Sequence, residues 1–143
     1  MRVINKKAKF NYKLFETYEA GISLVGVEVK TLLNGQVDLT NSYVKIINGE
    51  AYLINANIPI SEGSGEPTRT RKLLIHKAEL TSIWSKIREK QLTLIPTKMY
   101  TRGRRIKLEF ALAKSKREFE KRQASRNKDI EREIAQEVRG KNI

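Results

Sequence analysis

The hydrophobic positions of this chain change period along its length, and each period predicts a different element. In "NYKLFETYEAGISLVGVEV" the apolar residues Tyr12, Leu14, Ile22, Leu24 and Val25 lie around a Glu-Ala-Gly step, which predicts two short strands joined by a turn. "VEVKTLLNG" reads two ways. Val25, Val27 and Val29 alternate as in a strand, whereas Leu32 and Leu33 before Asn34-Gly35 suit a helix that closes on a left-handed glycine. Periodicity leaves both readings open.

"SYVKIINGEAYLINANI" is plainer. Asn48-Gly49 separates two apolar runs, and the tightest hairpin turn needs positive φ at both central residues. A hairpin is predicted that pairs Ile46 with Ala51 and Val44 with Leu53. Its other face, Tyr43, Ile47, Tyr52 and Ile54, is also largely apolar, so cover is expected on both sides, from a barrel interior and from a packed helix.

"IPISEGSGEPTRTRK" is a loop by composition. In "HKAELTSIWSKIREK" Leu80, Ile83, Trp84 and Ile87 recur at helical spacing, which predicts one buried face and puts Trp84 in the core rather than on a base-stacking surface. In "LTLIPTKMYTRGRRIKLEFAL" Leu92 and Leu94 alternate going in, Ile106, Leu108, Phe110 and Leu112 alternate coming out, and the turn falls near Arg102-Gly103. The fold class expected is mainly β with helices: an OB-type antiparallel β-barrel with flanking helices over residues 1–112, followed by a basic C-terminal tail over residues 113–143.

The tail has helix formers, no proline, and few large apolar residues, Phe119, Ile130, Ile134 and Val138. Burying that narrow stripe returns roughly 25 cal/mol per Å², against an ordering cost of about 1–2 kcal/mol per residue. A conditional helix is expected, loose alone and completed on an anionic surface.

Charge brings in the partner. The 143 residues carry a formal net charge of +13, from 29 Lys and Arg against 16 Asp and Glu. Residues 1–110 hold a net +9 and residues 111–143 a net +4, so body and tail each offer a surface to a polyanion. The chain has no cysteine and a single histidine, His76. That leaves no thiolate metal site, no clustered ligands and no nucleophile–base pairing, and "GSGEPT" lacks the lysine of a phosphate loop. No metal or cofactor is expected, and the chain reads as a binding protein rather than an enzyme. No stretch resembles a signal peptide or a membrane span, so a cytoplasmic protein without a membrane partner is expected.

Basic residues cluster at Lys6, Lys7 and Lys9, at Arg69, Arg71 and Lys72, and at Lys98, Arg102, Arg104, Arg105 and Lys107. One such cluster is ordinary solvated surface. Three beside the turns of one small barrel point to an RNA-binding rim. Tyr100, Phe10 and Tyr12 lie near them, although Phe10 and Tyr12 suit a core equally well.

Eight segments in order, "NKKAKFNY", "ETYEAG", "GVEVKTL", "SYVKIINGEAYL", "PTRTRKLLIHKAEL", "LTLIPTKMY", "ALAKSKREFEKR" and "REI", resemble the SmpB family of proteins that partner transfer-messenger RNA (tmRNA) in bacterial ribosome rescue. The resemblance implies an OB-type barrel and tips "VEVKTLLNG" towards helix. It implies that the barrel binds the elbow of the tRNA-like domain of tmRNA, that elongation factor Tu brings the complex to the vacant A site of a stalled ribosome, and that the tail folds in the empty messenger channel near the decoding centre. The RNA-contact positions it implies are Asn5, Glu19 and Leu74, with Lys30 in "GVEVKTL" beside the rim cations. In the tail it implies Lys114, Lys116 and Arg117, followed by Phe119, Glu120, Lys121 and Arg122. Three residues depart from the family pattern: Leu33 stands for an arginine, Ser115 for a glycine and Glu120 for an aspartate. A monomer is expected. The competing readings are a structural ribosomal protein, whose tail would thread between rRNA helices, an RNA-cleaving or RNA-modifying OB protein, and a generic basic OB-fold RNA-binding protein.

Overall fold

The computed structural model describes residues 1–60, 65–116 and Arg126. Its elements are β1 (Arg2–Ile4), α1 (Lys6–Asn11), β2 (Tyr12–Ile22), α2 (Gly26–Leu33), β3 (Tyr43–Ile47), β4 (Glu50–Ile54), β5 (Arg71–Leu74), α3 (Lys77–Lys90), β6 (Thr93–Arg102) and β7 (Arg105–Ser115). All strand pairings are antiparallel. In the order β6-β3-β4-β5-β2-β7 the sheet returns to β6 through the β6–β7 pairing, and β1 is added outside on β6. This ring of strands is mainly β and OB-like, as expected. The seams are unequal: β6 and β7 pair almost end to end, while β3 meets β6 only at Val44 and Leu94.

The Asn48-Gly49 hairpin forms in the expected register, with Val44 opposite Leu53 and Ile46 opposite Ala51. Both turn residues have positive φ, 52° and 75°, the conformation a two-residue hairpin needs. The other face differs from expectation. Tyr43 and Ile47 are exposed, and among the described residues no helix covers that face. Two-sided cover goes instead to β6 and β7, where Ala8 of α1 packs on Ile95 and Ala113 in a small second core.

The expected turn at Glu-Ala-Gly does not exist. β2 runs unbroken through it, pairing with β7 as far as Gly21 opposite Lys107 and with β5 at Gly21 and Ile22. Gly21 permits close approach here, not a turn: a Cβ on it would lie 3.4 Å from the Leu74 Cβ. "VEVKTLLNG" is helix α2. The Gly35 N–H donates to the Leu32 carbonyl at 2.8 Å and the Gln36 N–H to Thr31 at 3.3 Å, with Gly35 at φ 74°. These are the two bonds of a left-handed helix stop. At the other end the Glu28 carboxylate accepts from the Val25 N–H at 3.0 Å, the reach-back half of a capping box.

The main core gathers Leu53, Ile58, Leu73, Leu94, Met99, Leu108 and Phe110 from the ring, with Leu32 of α2 and Leu80 and Ile83 of α3. Each such fully buried side chain contributes about 1.5–3 kcal/mol. Trp84 departs from expectation at 43 % exposure. Leu80 and Ile83 fill the helix contact, and Trp84 is left against the hairpin tip beside Ile46 and Gly49. β7 continues past Leu112 to Ser115, because Ala113 is wholly buried under α1. Among the described residues no helix is long and apolar enough to cross a membrane.

Candidate nucleic-acid interface

Three strand ends meet on one side of the ring. β2 brings Glu19 and Gly21, β5 brings Lys72 and Leu74, and the β6–β7 turn brings Arg102, Arg104 and Arg105. Two adjoining depressions share Gly21, Leu74 and Lys107. One, of about 460 Å³, has Ile22, Leu24, Val29 and Ile106 among its walls, with Arg104 and Arg105 at its margin. The other, of about 490 Å³, is polar and includes Glu19, Lys72 and His76. Together they form a groove that is partly apolar on the Arg104–Arg105 side and of mixed charge on the other, where Glu50 pairs with Lys72 at 3.2 Å and Glu79 also lines the wall. The apolar part suits bases that stack, and the exposed arginines suit phosphates.

Leu74 is 58 % exposed. A single exposed leucine is ordinary surface, but this one stands beside the apolar wall of Ile22, Leu24, Val29 and Ile106 with Arg104 and Arg105 at the margin, where a contiguous apolar patch rimmed by polar groups suits a partner. The ladder explains its direction: on β5 Arg71 and Leu73 point inward, and Lys72 and Leu74 point outward.

Glu19 does not sit free. The Tyr100 hydroxyl donates to it, and Arg102 Nη1 lies 3.1 Å from both its oxygens. The Tyr100 bond first, and the Arg102 charge behind it, hold the Glu19 carboxyl below its ordinary range. Burial and the same hydrogen bond push the Tyr100 phenol up to about 12. Glu19 is therefore an oriented carboxylate at neutral pH, able to accept from a base edge or a 2′-hydroxyl. Tyr100 is tied to it, with Lys98 Nζ 5.5 Å from its ring centroid, rather than standing out as a stacking platform.

The remaining expected positions divide. Lys30, in the last turn of α2, is exposed, as are Lys6 and Lys7 on α1. Asn5 is 7 % exposed: its Nδ2 donates to the Pro96 carbonyl at 2.8 Å and to Leu39 at 3.2 Å. It braces the β6 bulge between Pro96 and Lys98. Arg71 is a correction. It is wholly buried, paired to Glu28 and donating to the Ala56 carbonyl at 2.8 Å, so it holds the fold and cannot meet RNA. Arg69 is half exposed, with Nη2 2.5 Å from Glu28. Lys114 is exposed on β7. Lys116 is folded back, its Nζ donating to the Lys9 carbonyl at 2.8 Å. Arg117, Phe119, Glu120, Lys121 and Arg122 lie outside the described residues.

Sequence reasoning placed Lys107 in the basic rim but missed Glu28 as the partner of Arg71, and Ile22, Leu24 and Val29 as groove residues. Glu28 left one trace: an acid three residues after Val25 at a helix start. The groove residues left none, since they come from three separate elements.

The comparisons with known proteins agree with one another. The family model described as SmpB protein matches residues 2–140. An SsrA-binding protein of Persephonella marina is 47 % identical over 96 % of this chain and 93 % of its own. One of Malacoplasma penetrans is 44 % identical over 96 % and 97 %. A chain from a solved structure described as "tmRNA-SmpB: a journey to the center of the bacterial ribosome" superposes with a TM-score of 0.68 at 42 % identity, covering 82 % of this chain and 85 % of that one. With the family model spanning nearly every residue and the same fold at this identity, the chain belongs to the SmpB family.

Proposed function

We propose that this protein binds the tRNA-like domain of tmRNA through the groove around Leu74 and Glu19 and carries it to the A site of stalled ribosomes. The observation that carries the reading is Leu74, an exposed aliphatic side chain between Lys72, Arg104 and Arg105, in a chain that resembles one solved as tmRNA-SmpB. In this reading Leu74 covers a base or ribose face, Glu19 accepts hydrogen bonds, and Lys72, Lys107, Arg102, Arg104 and Arg105 neutralise phosphates. Lys30 and the exposed face of Arg69 extend the same charged edge. The protein performs no chemistry: it acts as a monomer in the cytoplasm, and elongation factor Tu joins through the RNA. Residues Arg117, Phe119, Glu120, Lys121 and Arg122 form the arm placed in the empty messenger channel, and Lys114 and Lys116 stand at its root on the body, making residues 1–116 the RNA grip and the rest the channel probe.

The test compares the full chain with one ending at Lys116, which keeps all of β7. Both should bind a tRNA-like domain transcript with affinities within about threefold, and only the full chain should release ribosomes stalled on messages lacking a stop codon. Loss of RNA binding on truncation, or rescue by the shortened chain, would overturn the division. A wild-type chain that failed to prefer the tRNA-like domain over an unstructured RNA of equal length would overturn the reading itself.

A further inference from the structure

Between the first half of α3 and the hairpin tip lies a pocket that the RNA groove does not use. Of about 310 Å³, it is walled by Ile46, Leu80 and Trp84, with the Asn48-Gly49 turn at one side and Lys77 at its rim. Trp84 is 43 % exposed, and no carboxylate lines the pocket. Lys77, Thr81, Trp84 and Arg88 follow one another at helical spacing along the exposed face of α3. Neither Lys77 nor Arg88 forms an ion pair with a described residue. An apolar pocket flanked by two uncompensated cations fits apolar side chains carried on an acidic segment.

The tail carries such a segment. It is basic as a whole, but its charge is divided. Residues 129–138, "DIEREIAQEV", hold four carboxylates, Asp129, Glu131, Glu133 and Glu137, against one cation, Arg132. The same stretch holds Ile130, Ile134 and Val138, whose spacing of four sets them along one face of a helix. An RNA surface repels an acidic stretch, whereas a cationic protein face attracts it.

The link between the two is long enough. β7 ends beside the C-terminal end of α3, because Ala113 pairs with Thr93, three residues beyond Lys90. Trp84 lies six residues before Lys90, about 9 Å along a helix. The 12 residues 117–128 reach up to about 40 Å when extended.

We infer that residues 129–138 dock on α3 of their own body, with Ile130 and Ile134 against Trp84 and their neighbouring carboxylates facing Lys77 and Arg88. So narrow an apolar stripe makes a shallow, reversible seat rather than a fixed one. The acidic part of the tail rests on the body while the protein is free, and its release bares Trp84. The inference uses no RNA contact and stands apart from the groove around Leu74.

Trp84 is the chain's only tryptophan, so its fluorescence reads the pocket directly. The test measures acrylamide quenching of the full-length protein against full-length Ile130→Ser/Ile134→Ser, over a range of protein concentrations. Wild-type Trp84 should be quenched about twofold less than in the variant, and the difference should shrink in about 0.5 M salt, where charge attraction is screened. Lys77→Glu/Arg88→Glu should raise quenching to the level of the tail variant, and adding Glu133→Lys/Glu137→Lys to that chain should lower it again. Lys77 and Arg88 are exposed, so the body keeps its fold, which an amide spectrum checks. Equal quenching in wild type and tail variant, or no recovery on charge exchange, would overturn the inference. Shielding that grows with protein concentration would seat a second copy's tail in the pocket and refute the assignment to the same chain.

Discussion

Glu28 and Arg71, 43 positions apart in the chain, form a buried ion pair in which Arg71 Nη2 lies 2.5 Å and Nε 2.7 Å from the same carboxylate oxygen, Oε2. The other oxygen, Oε1, accepts from Arg69 at 2.5 Å and from the Val25 N–H at 3.0 Å. The pair ties α2 to β5, and these two elements supply Val29 and Leu74 to the groove. Burial alone would push the Glu28 carboxyl up, but the bonds from Arg69, Val25 and Arg71 outweigh it and hold its pKa below the ordinary value.

Glu28→Gln should therefore cost about 3–5 kcal/mol, since it leaves the Arg71 guanidinium buried and uncompensated. Denaturant unfolding measures this. In the wild type the folded pKa of Glu28 lies below its ordinary 4.5, so the contribution is complete above about that pH and is lost as pH falls through the folded value. Thermal melts should decline on acidification below pH ~4.5, and less steeply in the variant. An unchanged acid profile in Glu28→Gln would refute the assignment.

Leu74→Ala removes exposed surface, so stability should stay within about 0.5 kcal/mol. Affinity for the tRNA-like domain should fall about tenfold or more, as when about 1.5 kcal/mol of apolar cover is lost. Comparing melting temperature with filter binding separates the two. A loss of stability matching the loss of binding would make Leu74 a packing residue.

Glu19→Gln removes the charge that Tyr100 and Arg102 share. The Tyr100 phenol, held near 12, should titrate closer to its ordinary 10, which ultraviolet titration of tyrosinate reads directly. RNA affinity should drop in the same variant, because an oriented acceptor becomes an amide that turns freely. Tyr100→Phe should reproduce part of the binding loss by freeing the carboxylate.

Arg104 and Arg105 are exposed and make no ion pair among the described residues. Replacing either with Ala should weaken tRNA-like domain binding and lower the slope of log affinity against log salt by about 1. Arg71→Leu should leave the slope unchanged, because its guanidinium faces Glu28 and not solvent. A slope reduced by Arg71→Leu and indifferent to Arg104→Ala would reverse the assignment.

Some of this was legible along the chain. Asn48-Gly49 specified its hairpin because positive φ at two successive residues has few solutions, and the 3.6-residue spacing of Leu80, Ile83 and Ile87 specified α3. The net +13 called for a polyanion, since charge is additive and needs no fold to be counted. Tertiary structure alone decided which of two similar residues does what. Arg69, Arg71 and Lys72 are one basic run in sequence, yet strand alternation turns Arg71 into the core, where Glu28 meets it, and Lys72 outward. Trp84 shares its helix face with Ile83, but the hairpin fills the space above it incompletely and leaves it half in water. Local pattern records which residues prefer burial, whereas burial itself depends on partners supplied from dozens of positions away.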